Sequence, residues 1–169
     1  VIRGCTMGWM GLNAIGRGNL TVEDSTMYGN ALVSFRRDYG STWEGDLVIR
    51  NCRWIPAGGD TCLPHLINVS NDGMHDFGYP CSMPTEVTID GLFVDDTNHP
   101  EDYQGMYFFT DPDGMNDGVE DITPTTTRPF PYEACQKVTV RGLTTASGKK
   151  PRLSPSEKIN ASTVVIEAD

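Results

Sequence analysis

The chain has 169 residues, which is the length of one domain that can bury its own core. Its 18 Gly, its 11 Pro and its hydrophobic share of 38% are typical of a turn-rich β protein. The formal charge of −10 argues against nucleic acid, whose phosphates require a basic surface, and against an anionic membrane surface. No apolar run reaches the roughly 18 residues of a membrane-spanning helix, so we expect no membrane insertion.

The chain opens in what resembles the middle of a strand. Residues 1–5 contain no starting Met and no signal-type apolar stretch. We expect residues 1–169 to form a single domain of a longer protein, with further coils or domains of that protein as neighbours.

Four segments share one pattern: apolar, any, apolar, polar, then Asp, Asn or Gly, then a small or apolar residue. They are residues 20–25, 47–52, 87–92 and 138–143. The alternation has a period of two, which predicts short strands with one buried face. Asp, Asn and Gly tolerate the left-handed conformation, so the fifth position predicts a one-residue bend before a second short strand.

The central apolar position of this pattern recurs along the chain at intervals of 20 to 51 residues, at Ile2, Val22, Ile49, Ile89, Val140 and Ile166. The shortest interval fits one coil of a β-solenoid, and the longer ones fit the same coil with inserted loops. A third strand is predicted within the intervals, over residues 12–15, 31–35, 65–69 and 106–110. We therefore predict an all-β solenoid of five to six coils, with a β-sandwich or jelly roll as the competing fold. Residues 148–162 lack the repeat and are predicted to form an irregular loop or a capping region.

The strand–Asn/Gly–strand units, as in residues 47–55 and 87–94, resemble the right-handed parallel β-helix of the pectin-lyase-like superfamily. The resemblance covers residues 1–147. It implies that the sheet containing the third strands borders a substrate groove, and that the turns leaving this sheet carry the catalytic groups.

Three of those turns are long, spanning residues 36–46, 70–86 and 111–137, and loops of such length in a compact domain are usually functional or disordered. Two of them match in sequence, at residues 72–76 and 113–117. With coils stacked about 4.8 Å apart, acids on neighbouring coils would lie about 5 Å apart, and those on alternate coils about 10 Å apart. These separations bracket the retaining (about 5–5.5 Å) and inverting (about 6.5–9.5 Å) carboxylate pairs of glycosidases.

The candidate catalytic acids in these loops are Asp38, Asp72, Asp76, Asp111 and Asp113. Such carboxylates can act as general acids, bases or nucleophiles, or supply the oxygen ligands of calcium. The competing interpretation is that Asp-Gly only forms turns and the Asp satisfies backbone N–H groups. The Asp-x-Asp-x-Asp-Gly calcium motif does not occur in the sequence, so calcium is a candidate cofactor without assigned ligands.

Basic residues of the same loops add His75, Arg36 and Arg37 to the catalytic candidates. His75 is interpreted as a general acid, a sugar contact or a solvated loop residue. The resemblance implies that a lyase of this fold uses a basic residue to remove the proton alpha to a carboxylate, which calcium acidifies. Arg36 and Arg37 fit that role, with an ion pair to Asp38 as the alternative.

The resemblance to polygalacturonases is weaker. Asp95-Asp96 resembles their aspartate pair, but the sequence contains no Gly-His-Gly and no Arg-x-Lys element. We interpret residues 95–103, which include His99, as a solvated acidic edge.

Aromatic rings stack on the apolar faces of sugars, and four fall in the candidate groove loops: Tyr39, Trp43, Phe77 and Tyr79. Trp54 lies on the inward side of the repeat and is predicted to belong to the core.

Cys5 and Cys52 occupy the same inward position two coils apart, too far to bond, and are predicted to be buried thiols. Cys62, Cys81 and Cys135 fall in loops, where Cys81–Cys135 and Cys62–Cys81 are rival pairings. A disulfide there would favour an extracellular location.

We therefore expect an extracellular or cell-surface module that acts on or binds a polysaccharide or oligosaccharide, as a glycoside hydrolase or a polysaccharide lyase. The alternative is a non-catalytic structural or adhesive solenoid, such as a phage tailspike or a segment of a surface protein.

Overall fold

The computed structural model describes the following residues: 1–8, 10–12, 15–29, 31–35, 42–56, 65–68, 81–82, 84–109, 132–133, 136–154 and 163–166. These residues form strands, turns and extended segments, and none of them is helical. The predicted all-β class is confirmed for this part of the chain.

The described strands are, in chain order, β1 (Ile2–Arg3), β2 (Thr6–Met7), β3 (Met10–Leu12), β4 (Ile15–Arg17), β5 (Leu20–Glu23), β6 (Thr26–Tyr28), β7 (Ala31–Phe35), β8 (Thr42–Glu44), β9 (Asp46–Ile55), β10 (His65–Asn68), β11 (Cys81–Ser82), β12 (Glu86–Val94), β13 (Tyr107–Phe109), β14 (Tyr132–Glu133), β15 (Lys137–Thr145) and β16 (Thr163–Ile166).

The described strands assemble into three sheets in which every pairing is parallel. Sheet 1 has the order β1-β5-β9-β12-β15-β16, with β2 and β6 joined to it; sheet 2 is β13-β10-β7-β3, and sheet 3 is β14-β11-β8-β4. The chain runs from sheet 1 to sheet 2 to sheet 3 and back to sheet 1. We call each such pass a unit. Parallel neighbours need a crossover connection, and here the other two sheets provide it.

The six predicted apolar anchors form one continuous row across sheet 1. The register pairs Ile2 with Val22, Val22 with Ile49, Ile49 with Ile89, Ile89 with Val140, and Val140 with Ile166. The four central anchors are at most 2% exposed. The period-two pattern therefore predicted both the strand positions and their register, because a slip of one residue would turn the whole apolar row outward.

The predicted one-residue bend is also confirmed, as a row of left-handed residues along sheet 1. The φ angles are 64° at Gly4, 51° at Asp24, 48° at Asn51, 79° at Gly91 and 56° at Gly142. The Asn51 amide donates to the Asp24 carboxylate over 2.7 Å, so the row is also linked by side chains. These are the residue types that adopt this conformation at low cost.

A row of alternating charge lies directly beside the bends. The register places Arg3, Glu23, Arg50, Asp90 and Arg141 on successive strands. Glu23, 8% exposed, accepts from Arg3 Nε at 2.7 Å, and its other oxygen lies 3.7 Å from Arg50 Nη1. Arg50 Nε lies 3.4 Å from Asp90 Oδ2. Opposite charges directly across a strand pair stabilise it, whereas like charges there would repel.

The third strands agree with the prediction in part. Residues 31–35 are confirmed as β7, and β10 and β13 lie within the predicted ranges 65–69 and 106–110. The strand predicted over residues 12–15 is wrong in position, because Met10 pairs with Val33 and β3 ends at Leu12. Ile15 instead begins β4, in sheet 3, a sheet that the sequence analysis did not predict.

The predicted burial of three side chains has a mixed outcome. Trp54 is fully buried, as expected, and donates through Nε1 to the Gly29 carbonyl at 2.8 Å. Cys52 is buried, and this burial raises the pKa of its thiol. The predicted burial of Cys5 is wrong: its thiol is exposed, because it lies in the first unit and is flanked by a described unit on one side only.

The segment predicted to be irregular contains a short continuation of sheet 2. Arg152 pairs in parallel with Tyr107; its N–H donates to Met106 O at 2.9 Å, and Phe108 N–H donates to its carbonyl at 2.8 Å. Residues 152–153 therefore lie beside β13 as one more rung of that sheet.

Replacing Asn51 tests the left-handed row. We expect Asn51→Val to lower the free energy of unfolding by about 2 kcal/mol, because a β-branched residue is strained at this φ and the bond to Asp24 is lost. Asn51→Gly loses only the hydrogen bond and should cost less than about 1 kcal/mol. Urea unfolding of both variants checks this, and equal losses would contradict a conformational origin.

Neutralising Glu23 tests the charge row. We expect Glu23→Gln to lower the free energy of unfolding by about 1–2 kcal/mol, since two arginines lose their shared, largely buried partner. The matched control is Asp90→Asn, whose half-exposed pair should contribute less than about 0.5 kcal/mol. The comparison is made by denaturant unfolding at low and high salt, and an effect of Asp90→Asn as large as that of Glu23→Gln would refute the difference in burial.

Candidate functional site

The three longest predicted loops are anchored on adjacent strands. Their predicted extents, 36–46, 70–86 and 111–137, are too long, because each range contains a short strand of sheet 3: β8, β11 or β14. The remaining connections join β7 to β8, β10 to β11 and β13 to β14, so each leaves sheet 2 and enters sheet 3. Strands β7, β10 and β13 are neighbours in sheet 2, and β8, β11 and β14 are neighbours in sheet 3. Their start and end points are therefore each about one strand spacing, roughly 4.8 Å, apart.

Most of the predicted site residues lie outside the described residues. These are the catalytic candidates Arg36, Arg37, Asp38, Asp72, His75, Asp76, Asp111 and Asp113, and the aromatic candidates Tyr39, Phe77 and Tyr79. What the structure does establish is that their connections begin and end at neighbouring positions of two parallel sheets. Cys62 and Cys135 also lie outside the described residues, so the loop disulfides stay predictions.

Trp43 is the one predicted aromatic candidate among the described residues, and it belongs to the core. Its side chain is 6% exposed, and Nε1 donates to the Gly18 carbonyl at 2.5 Å. This burial leaves little of the ring open to a sugar, because Trp43 lies on β8 of sheet 3 and packs into the hydrophobic cluster. We therefore assign Trp43 to packing.

Sheet 2 has apolar side chains on both faces in its central strands. Neighbours along a strand point to opposite faces. One row is Leu32, Leu66 and Phe108, and the opposite row is Val33, Ile67 and Phe109. All six are at most 2% exposed. The polar groups of a site in this region must therefore come from the connections and from the strand starts.

The acidic connection from β12 to β13 is only in part the solvated edge that we predicted, because residues 97, 98, 101 and 102 are exposed and two other side chains are buried. Asp96 is 3% exposed, and Tyr103 is 1% exposed. The Asp96 carboxylate accepts from the Tyr103 hydroxyl at 3.0 Å, from Ser147 N–H at 2.8 Å and from the Ser147 hydroxyl at 2.6 Å. We call Asp96, Tyr103 and Ser147 the Asp96 cluster. A buried carboxylate with this many donors is a satisfied one.

Two further side chains cover the Tyr103 ring. The His99 ring stacks on it, with centroids 4.7 Å apart and 27° between the planes, and Lys149 Nζ lies 5.9 Å from its centroid. Lys149 N–H donates to the Ser147 hydroxyl at 3.2 Å. Both oxygens of Asp96 and the hydroxyl of Ser147 are thus engaged within the protein. The Asp96 cluster joins the connection after β12 to the turn after β15, and we assign it a structural role.

Asp95, next to the cluster, lies in a different environment. Its carboxylate accepts from the Thr97 hydroxyl at 2.9 Å and from Arg53 Nη2 at 2.5 Å. The Thr97 hydrogen bond, followed by the bond to Arg53, lowers the pKa of Asp95 below its ordinary value. Asp95 is therefore a carboxylate at neutral pH and forms an ion pair with Arg53. A general acid must carry a proton, so Asp95 does not have the properties of one.

No group of three or more His, Cys, Asp or Glu side chains suited to a metal ion occurs among the residues that the structure describes. The candidate calcium oxygens all lie in the connections outside that part of the chain. Within the described ranges there is also no helix with the length and hydrophobicity needed to cross a membrane.

Two features of this region were not predicted from sequence: the burial of Asp96 and the extra rung at residues 152–153. The partners of Asp96 lie 7 and 51 residues away along the sequence, so no local sequence pattern indicates them. The sole sequence signal was an acid two residues past the end of a repeat unit, where the chain leaves β12.

Comparison with known proteins adds no relative: the sequence matches no protein-family model, no curated protein and no solved structure. The resemblance to the pectin-lyase-like superfamily therefore rests on the repeat residues alone.

Replacing Asp96 tests whether the Asp96 cluster stabilises the fold. We expect Asp96→Ala to lower the free energy of unfolding by about 2–4 kcal/mol, because the buried donors of Tyr103 and Ser147 lose their acceptor. The matched control, Asp102→Asn, neutralises an exposed acid of the same connection and should change stability by less than about 0.5 kcal/mol. Chemical denaturation measures both, and a loss for Asp96→Ala no greater than that of the control would show that the cluster does not stabilise the fold.

Proposed function

We propose that this chain is a right-handed parallel β-helix that acts on or binds a polysaccharide outside the cell or at its surface. One observation carries the proposal: the three connections that contain the candidate acids leave neighbouring strands of sheet 2 and enter neighbouring strands of sheet 3. A solenoid of stacked units presents its inserted loops side by side, which is how a long groove for a polymer can be built. The net charge of −10 supports a partner other than nucleic acid.

For hydrolysis, the chemistry would come from a pair of carboxylates drawn from Asp38, Asp72, Asp76, Asp111 and Asp113. One protonates the leaving oxygen, and the other attacks the sugar or activates water. The pairing of β7 with β10 and of β10 with β13 supports such a pair, since it sets the bases of the connections about 5 Å apart for neighbours and about 10 Å for alternate ones.

For elimination, Arg36 or Arg37 would remove the proton alpha to a sugar carboxylate. Both residues directly follow β7 in the sequence and belong to the same connection as Asp38. Calcium fits this version in one respect, because loop carboxylates supply the hard oxygen ligands it requires. When bound, such an ion would supply positive charge beside the sugar carboxylate.

The test is a polysaccharide panel, read by reducing-end release and by ultraviolet absorbance of unsaturated product, with and without calcium. We expect turnover that falls at least about 100-fold in Asp72→Asn/Asp76→Asn, since removal of a catalytic carboxylate costs on this order. Asp90→Asn, on sheet 1, serves as the control and should keep wild-type turnover. Reducing ends alone indicate hydrolysis, and calcium-dependent absorbance indicates elimination. Unchanged turnover in the double variant would refute the assignment of these acids.

A second candidate, a non-catalytic structural or adhesive solenoid, is favoured by the continuous rows of sheet 1. The anchors, the bends and the alternating charges serve stacking alone, and a spacer needs nothing more. A protein that neither cleaves nor binds any polysaccharide of the panel would favour this candidate, and trimers in solution would support its tailspike version.

A further inference from the structure

Three N-glycosylation motifs, Asn-x-Ser or Asn-x-Thr with x other than Pro, occur in the sequence. They begin at Asn19, Asn68 and Asn160. Residues 69–70 and 160–162 lie outside the described residues, so the motif that can be placed in full is Asn19-Leu20-Thr21. A glycosylated Asn must lie at the protein surface, because the attached oligosaccharide is bulky and polar. The environment of Asn19 therefore decides whether the fold can carry a glycan there.

Asn19 lies at an exposed corner of the stack. It belongs, with Gly18, to the two-residue link between β4 of sheet 3 and β5 of sheet 1. Both residues of the link are exposed. A glycan on this link would extend into solvent, and no part of the hydrophobic core would have to open for it.

The backbone of this corner is fixed by the neighbouring unit. Gly18 N–H donates to Glu44 O at 3.3 Å, and Trp43 Nε1 donates to the Gly18 carbonyl at 2.5 Å. The two segments approach closely because residue 45 is glycine: a Cβ at Gly45 would lie 3.0 Å from Asn19 Oδ1 and closer still to Gly18 O. The exposure of Asn19 is thus a property of a well-ordered corner.

The Asn19 amide is oriented with its nitrogen free. Oδ1 accepts from Asp46 N–H at 3.0 Å, and because only the oxygen of an amide can accept from an N–H, the nitrogen must lie on the other side. Within the described part of the chain, Asn19 Nδ2 has no hydrogen-bond acceptor. N-glycosylation substitutes this nitrogen and leaves the oxygen as an acceptor, so the bond to Asp46 persists in the modified protein.

Thr21 supplies the hydroxyl of the motif on the same side of the strand. It lies two residues after Asn19, and residues two apart in an extended segment point to one face. Thr21 pairs with Val48 and is half-buried, whereas its neighbour Val22 is fully buried on the opposite face. Asn19 and Thr21 therefore share the outer face of sheet 1.

We propose that Asn19 is an N-glycosylation site, which accepts an oligosaccharide from a polyprenyl-pyrophosphate donor. In the transfer, Nδ2 forms a bond to C1 of the first sugar and loses one proton. The bond between C1 and the pyrophosphate oxygen breaks, and the pyrophosphate leaves with the electron pair. The inference goes beyond the proposed function and shares with it only the location outside the cell or at its surface, which glycosylation of this kind requires.

A glycan on Asn19 would leave the long connections accessible. These connections enter sheet 3 at the starts of β8, β11 and β14, whereas Asn19 follows the end of β4. The strands of sheet 3 are parallel, so their starts and their ends lie at opposite edges of the sheet. The glycan would cover the corner between sheets 3 and 1, away from the edge where the connections arrive.

The test is secretion of the whole chain, behind a cleavable signal sequence, from cultured mammalian cells. Peptide mapping by mass spectrometry, with and without peptide N-glycosidase, then measures the occupancy of Asn19. We expect a glycan on most copies. Thr21→Val should abolish it, because valine keeps a β-branched strand residue and lacks the hydroxyl that the motif requires. Thr21→Ser should retain it at least in part. The matched control, Asn98→Gln, changes an exposed Asn outside any motif and should leave the occupancy unchanged.

Secreted protein with unmodified Asn19 would overturn the inference, as would a glycan that persists on Asn19 in Thr21→Val or glycans confined to Asn68 and Asn160. Equal unfolding midpoints of Thr21→Val and of deglycosylated wild type establish that the variant is folded. The polysaccharide panel, run on the same secreted protein, tests the proposed function separately. A glycan on Asn19 with neither turnover nor polysaccharide binding would support this inference and refute the proposed function; turnover with unmodified Asn19 would do the reverse.

Discussion

In-register parallel stacking is the constraint on which the rest of this structure depends. Each residue of sheet 1 lies about 4.8 Å from its equivalents in the neighbouring units. Residues of one type at equivalent positions therefore form a continuous row across the sheet. An apolar row becomes a continuous core, as for the anchors from Val22 to Val140. A row of bends must consist of residues that tolerate positive φ, and a row of charges must alternate in sign.

Rows of this kind explain which parts of the fold could be predicted from the sequence. The anchors and bends are local properties, set by a period of two and by Asp, Asn or Gly at a fixed place, and the structure confirms their positions and register. Sheet 3 could not be predicted, because its strands are two or three residues long and show no shared pattern. The Asp96 cluster could not be predicted either, since it joins residues 51 positions apart.

For the candidate site, the structure places the strands that flank the long connections, and the site itself stays a prediction. Those strands are neighbours in sheets 2 and 3, whereas the side chains expected to do the chemistry belong to segments outside the described residues. Trp43 shows why aromatic residues in such segments need a structure to classify them: a ring in a three-residue strand looks the same in sequence whether it faces the core or the solvent.

In sheet 2, the strands and the connections have different roles. The middle residues of β7, β10 and β13 are apolar on both faces and serve packing, so polar groups come from the connections, from the strand starts and from the edge where Arg152 continues the sheet. The Asp96 cluster then joins the connection after β12 to the turn from which that last rung starts.

The alternating charges of sheet 1 make the fit between units depend on whether their number changes by an even or an odd count. Arg3, Glu23, Arg50, Asp90 and Arg141 follow one another in sign, so deleting the unit that contains Glu23 would set Arg3 directly against Arg50. Deleting two consecutive units would leave opposite charges in contact. A stack of units built this way therefore keeps opposite charges opposite each other only when it lengthens or shortens by an even number of units.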